Sequence, residues 1–175
     1  MKFKKPKFWD LKKPPLISYF LIPLTVILSL NNFFLKFKSN KKDKRIKSIC
    51  IGNIYLGGTG KTPTTIALYE ILKKLKIKVS TAKKFYDSQY DENLLLKKKT
   101  NFITSDNRKR ILSKGIEENQ QVIIFDDGLQ DRNISYDLEF VCFDSETFIG
   151  NGLLIPAGPL REKLKSLKKY AAVFL

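Results

Sequence analysis

A chain of 175 residues, 43% of them apolar, has the material for one packed domain and is not a disordered tail or low-complexity linker. Its formal charge of +16, from 33 basic and 17 acidic residues, suits an anionic partner such as nucleotide, phospholipid surface or nucleic acid. Histidine is absent and the only cysteines, Cys50 and Cys142, lie in separate apolar runs. Ser-His-Asp catalysis and a zinc site are thereby excluded, and acid–base chemistry falls to carboxylates or lysines.

In chain order, residues 1–14 carry lysines at 2, 4, 5, 7, 12 and 13 among Phe3, Phe8 and Trp9, and Pro15 to Leu35 contains no charge. A membrane span takes about 20 apolar residues. Pro23 interrupts the segment, which predicts an uninterrupted helical run only over Leu24 to Leu35, too short to cross. Ser18, Thr25, Ser29, Asn32 and Lys36 fall on one narrow stripe of a helical projection, with Leu, Ile, Val and Phe over most of the rest. Basic clusters flank the segment on both sides, so we read residues 1–40 as a monotopic, interfacial membrane helix. A spanning helix is disfavoured by the positive charge on both flanks, and a cleaved signal by the lack of a small-residue cleavage site.

Residues 41–175 read as an α/β lobe, entered through the charged stretch Lys41 to Arg45. The apolar run Ile49 to Ile51 leads into Gly52-Asn-Ile-Tyr-Leu-Gly-Gly-Thr-Gly-Lys-Thr-Pro63, and Thr64 to Leu75 has helical character. Strand, glycine-rich loop and helix in that order make a phosphate cradle: backbone N–H groups converge on one centre and the helix N-terminus adds partial positive charge. The nucleotide-binding candidates are Tyr55, Leu56, Gly57, Gly58, Thr59, Gly60, Lys61 and Thr62. Lys61 would reach the β- and γ-phosphates, and the Thr62 hydroxyl would hold Mg²⁺. This is a variant loop, since Tyr55 stands where the usual pattern has its first glycine.

Further on, Leu68, Ile71, Leu72 and Leu75 form a core-facing stripe, and Ile77 to Val79 could make a second short strand. Residues 82–101 read as a polar loop with a short helix, Phe102 to Thr104 as strand, and Asn107 to Lys114 as a helix stopped by Gly115. Val122-Ile-Ile-Phe125 runs into Asp126-Asp127-Gly128, a buried parallel strand delivering carboxylates at its C-terminal end, which is how phosphate-loop proteins complete a magnesium site. Phe140 to Phe143 gives another strand. A Gly- and Pro-rich loop over 149–162 then ends near Arg161, a candidate second phosphate clamp, and Tyr170 to Leu175 reads as the start of a further buried strand. The fold class is thus a P-loop NTPase-like, mainly parallel sheet flanked by helices and preceded by the membrane-anchoring helix.

Three segments, the phosphate loop above, Asp126-Asp-Gly-Leu-Gln-Asp-Arg132 and Gly150-Asn-Gly-Leu-Leu-Ile-Pro-Ala-Gly-Pro-Leu-Arg-Glu162, together resemble the tetraacyldisaccharide 4′-kinases of lipid A synthesis. The basic amphipathic N-terminus is similar to that family's anchor. The resemblance implies transfer of the ATP γ-phosphate to the 4′-hydroxyl of a tetraacyldisaccharide 1-phosphate, with Mg²⁺, by a monomer at the cytoplasmic face of the bacterial inner membrane. Its partners would be the acylated disaccharide phosphate and the lipid surface.

Residue by residue, the resemblance assigns Lys61 and Thr62 to the phosphate loop, Asp126 and Asp127 to magnesium, Asp91 to the base for the sugar hydroxyl, and Arg161 to the Pro-Leu-Arg block. Lys61, Asp91, Asp127 and Arg161 are the catalytic candidates. Asp131 replaces the family's histidine, the family's Arg-Gly-Tyr block is not recognisable near Thr81 to Tyr86, and family members are about twice as long. The expectation is an N-terminal lobe. Two alternatives stand beside it: a membrane-bound P-loop ATPase switch that dimerises with ATP, and a catalytically incomplete nucleotide-binding fragment. Nucleic acid is not an expected partner, because no aromatic platform or basic recognition helix accompanies the charge.

Overall fold

The apolar runs of the middle of the chain become the strands of a sheet. The computed structural model describes residues 5–34, 43–85, 90–131 and 133–175, excepting the side chains of 29–34 and 90. The six strands are β1 (Lys47–Gly52), β2 (Val79–Lys84), β3 (Phe102–Ser105), β4 (Val122–Asp126), β5 (Leu138–Cys142) and β6 (Ala172–Phe174). Their order across the sheet is β3-β2-β4-β1-β5-β6. The β1–β4, β2–β4 and β2–β3 pairings are parallel. Helices α1 (Leu16–Phe34), α2 (Lys61–Lys74), α3 (Tyr90–Lys99) and α4 (Arg108–Glu117) complete the list of regular elements, with short 3₁₀ turns at Lys7–Asp10 and Leu164–Lys169. The chain divides into two units, neither continuous in sequence: residues 1–39, 53–59 and 141–175 in one, and 40–52 and 60–140 in the other.

The second unit is an α/β body built on parallel strands with flanking helices. Ile46, Cys50, Ala82, Ile103, Ile111, Leu112, Ile123, Phe125, Ile134 and Tyr136 form its core. Both cysteines are free thiols and buried, as their apolar settings predict. Helix α4 begins at an Asn107 side-chain cap on the Lys109 amide (2.9 Å) and runs through Gly115 to Glu117. Gly115 is therefore not the stop that the sequence suggests. A Cβ there would collide with Ile123 Cδ1, so the glycine serves the close approach of α4 to the core, and the chain turns instead at Asn119, with φ of 55°.

Strand β2 also departs from expectation, lying at Val79–Lys84 rather than Ile77 to Val79. Lys83, which the pattern places in the polar stretch 82–101, is buried, as are Ser80 and Thr81 just before that stretch. Each is satisfied locally: Ser80 accepts from Asn101 (2.8 Å), Thr81 hydrogen-bonds Thr100, and Lys83 has two carboxylate partners. Residues 86–89 of the expected loop lie outside those described.

In the first unit, α1 runs unbroken from Leu16 to Phe34 with Pro23 inside it, correcting the expected interruption. No described helix is long and apolar enough to cross a membrane. The helix is inverted relative to an ordinary surface helix. Ser18 and Thr25 are buried, whereas Leu16, Ile17, Tyr19, Phe20 and Ile27 are exposed, Phe20 by 84%. The inward polar stripe docks on the Gly/Pro segment: Asn151 Nδ2 donates to Ser18 Oγ (3.2 Å), the Ala157 amide to Thr25 Oγ1 (3.4 Å), and Thr25 Oγ1 toward the Leu154 carbonyl (3.3 Å). The stripe positions 29, 32 and 36 and the lysines at 2, 4, 38, 41 and 42 fall outside the described side chains. Strand β6 forms as expected at the chain's last residues, but it is an edge strand with Val173 and Phe174 exposed rather than buried.

Candidate functional site

In the second unit the parallel strands all deliver their C-terminal ends to one side, where α/β sheets bind ligands. Gly60 caps α2 with φ of 71°, a left-handed conformation that a side chain would strain, and Lys61, Thr62 and Pro63 form the first turn. Pro63 is tolerated there because first-turn N–H groups have no intrahelical acceptor. Thr62 Oγ1 donates to Asp126 Oδ2 at the end of β4 (2.8 Å). The helix thus starts earlier than the expected Thr64, and its start is what brings the Gly-Lys-Thr hydroxyl to the strand-end carboxylate.

Asp126 is fully buried, and its Oδ1 has no hydrogen-bond partner among the described residues. Burial pushes this carboxyl above the usual carboxylate range, with Lys83, Thr62 and Lys61 acting against the rise. A threonine hydroxyl beside a dry carboxylate with one uncommitted oxygen is an all-oxygen donor set of the hard kind that magnesium takes. No cluster of three or more acidic, cysteine or histidine residues gathers among the described residues, so any further oxygens would come from nucleotide and water.

Asp127 follows in a left-handed backbone conformation, φ 67°, unusual for a residue with a side chain. Its backbone is held from both ends. The Asp127 amide donates to the Ile51 carbonyl (2.9 Å), and its carbonyl accepts from Arg108 Nη2 (2.6 Å). Arg108 is itself nearly buried and ion-paired to Asp131, the residue that departs from the family pattern. Burial raises the Asp131 carboxyl, but hydrogen bonds from the Asn133 amide and Arg108 outweigh it and hold the group below its ordinary value. Asp131 is thus a counter-charge that fixes the arginine bracing Asp127.

The first unit contains loop residues 53–59. Asn53 Nδ2 donates to the Gly57 carbonyl (3.1 Å), the Leu56 amide to Pro159 (2.9 Å), and the Arg161 amide to Ile54 (2.7 Å). Tyr55 and Leu160 form an antiparallel bridge. The Gly/Pro segment that sequence reads as an irregular loop is therefore the brace for loop residues 53–59, and Arg161 supports them through its backbone. Tyr55 is buried, with a Gly57 Cβ position only 2.9 Å from its ring. Its hydroxyl meets Asp10 and accepts from Lys5 Nζ (3.0 Å). The side chain replacing the usual glycine is thus pinned by the N-terminal segment.

Of the expected residues, the second unit draws Thr62 and Asp126 into direct contact, with Lys61 close enough to act electrostatically on Asp126. Asp127 adjoins them in the chain. Asp91 is exposed in the first turn of α3, while its neighbour Glu92 is the residue that reaches inward, to Lys83. Lys83, Glu92 and Arg108 are absent from the sequence-derived candidates. In a chain with 33 basic residues, a buried lysine or arginine has no compositional signature.

A family model for LpxK, tetraacyldisaccharide-1-P 4′-kinase, matches residues 17–89 and 79–175. A tetraacyldisaccharide 4′-kinase of Pelagibacter ubique is 53% identical over 179 residues, covering 100% of this chain and 55% of the relative. One from Wigglesworthia glossinidia brevipalpis is 35% identical, covering 93% and 52%. A crystal structure of LpxK from Aquifex aeolicus, in complex with ATP, superposes with a TM-score of 0.73 at 24% identity, over 90% of this chain and 58% of that one; it supports the fold. The chain spans about half the length of the curated relatives it matches. With its motifs in order and the family match extending over most of its length, the chain belongs to the tetraacyldisaccharide-1-P 4′-kinase family.

Proposed function

We propose that this chain carries the nucleotide-handling part of a lipid A 4′-kinase, which moves the γ-phosphoryl group of ATP to the 4′-hydroxyl of a tetraacyldisaccharide 1-phosphate. The observation that carries this reading is the Thr62–Asp126 hydrogen bond of 2.8 Å, joining the Gly-Lys-Thr turn to the end of the central strand β4. Phosphoryl transfer needs chiefly positioning and charge neutralisation. Lys61 and the first N–H groups of α2 would hold the phosphate oxygens, and Thr62, Asp126 and Asp127 would hold Mg²⁺, which when bound offsets charge on the β- and γ-oxygens. Asp91 would accept the proton of the 4′-hydroxyl as its oxygen bonds to the γ-phosphorus and the bond to ADP breaks. Arg161 would act as a second clamp on phosphate.

The acylated substrate resides in a bilayer, since withdrawing acyl chains into water costs about 0.8 kcal/mol per CH₂. The outward Leu16, Ile17, Tyr19, Phe20 and Ile27 of α1 suit an interfacial position at the cytoplasmic face of the inner membrane, with the basic flanks near anionic headgroups. The test is γ-phosphate transfer from labelled ATP to tetraacyldisaccharide 1-phosphate in mixed micelles. We expect transfer that disappears in Lys61→Ala. MgATP binding without transfer would overturn the kinase reading for this chain alone and leave it a nucleotide-binding lobe.

A further inference from the structure

Lys83 is 2% exposed, in a strand whose other buried residues are Val79, Ser80, Thr81 and Ala82. The parallel register pairs Ala82 with Phe125, which sets Lys83 level with Asp126 on the adjacent strand. Its ammonium donates to Asp126 Oδ2 at 3.0 Å and to the half-exposed Glu92 carboxylate in the first turn of α3. Oδ2 therefore receives two donors, Thr62 and Lys83, and Oδ1 is left without a partner among the described residues. A buried ion pair is commonly no more stable than a well-packed apolar replacement, so stability alone does not account for a lysine here.

We propose that Lys83 is a positioning residue: by holding Asp126 Oδ2 and Glu92 together, it orients the Asp126 carboxylate with Oδ1 available to magnesium and fixes the first turn of α3, where Asp91 lies, relative to that carboxylate. The inference rests on the kinase reading of the site and adds to it a residue outside the phosphate loop and the acidic pair.

The test measures the affinity of the full chain for a fluorescent ATP analogue with and without Mg²⁺, in the parent, Lys83→Met and Lys83→Arg, each checked for a cooperative melt. In Lys83→Met the strengthening of binding by Mg²⁺ falls by about tenfold, the worth of one charge-assisted hydrogen bond. Mg²⁺-free affinity stays within about twofold, and Lys83→Arg recovers most of the loss. Full Mg²⁺ strengthening in a folded Lys83→Met overturns the proposal. If that variant does not fold, Glu92→Gln keeps the Lys83–Asp126 pair and weakens only the tie to α3. A fall of about threefold in Mg²⁺ strengthening then supports the proposal, and no change overturns it. A parent chain without Mg²⁺-dependent binding removes the kinase reading itself, and the inference falls with it.

Discussion

The sheet end in the second unit and helix α1 in the first break the rule of apolar inside and polar outside in opposite ways. At the sheet end, Lys83, Asp126 and Arg108 are charged and buried, each matched by an opposite charge. In α1 the polar side chains Ser18 and Thr25 are buried on hydrogen-bonding partners while large apolar side chains face outward. Buried charge is tolerated where a partner offsets desolvation, so its neighbours matter more than its location. An outward apolar face carries no such local compensation, and faces of that kind are generally interaction surfaces.

That contrast predicts a ranking of mutational effects. Asp126→Ala would leave Lys83 buried with only the half-exposed Glu92, and should cost about 3–5 kcal/mol in urea denaturation. A loss under about 1 kcal/mol would mean that the pair is not held dry. Asp131→Ala should cost about 2–3 kcal/mol by stranding Arg108. Because the folded carboxyl of Asp131 lies below its unfolded value of about 3.9, its contribution is present above that pH and is lost as pH falls through the folded value. The acid limb of the stability profile should therefore flatten in Asp131→Ala, and an unchanged limb would remove this pairing from the account.

In the first unit effects should be smaller. Thr25→Val deletes the acceptor of the buried Ala157 amide and should lower stability by about 1–2 kcal/mol, read by thermal or urea unfolding. Phe20→Asp, at an 84% exposed position, should leave stability within about 0.5 kcal/mol. The same change should weaken co-sedimentation with anionic vesicles by about tenfold. Destabilisation without loss of vesicle binding would reverse the assignment of that face.

Much of the fold is legible in the residues because apolar runs ending in turn chemistry can make few other structures. Val122 to Phe125 followed by Asp126-Asp127-Gly128 announces a buried strand with a carboxylate at its end, and Gly-Gly-Thr-Gly-Lys-Thr announces the turn into α2. Pattern fails where a residue's environment lies far away in sequence. Lys83 looks solvated within the polar stretch 82–101 until Asp126 is brought alongside, and Gly115 looks like a helix stop until Ile123 packs against it.

The amino-acid sequence by itself determined the family, the strand, glycine-rich turn and helix order around Lys61 and Thr62, the carboxylates at the end of β4, and the unusual apolar helix, since each is written in contiguous residues with local physical meaning. Only the tertiary structure decided which carboxylate of Asp91 and Glu92 reaches inward, that Lys83 joins Asp126, that Asp131 holds Arg108, and that the Gly/Pro segment braces loop residues 53–59. Those pairings join residues 9 to more than 100 positions apart, and their energies come from desolvation and partner geometry, which exist only after the chain has closed on itself.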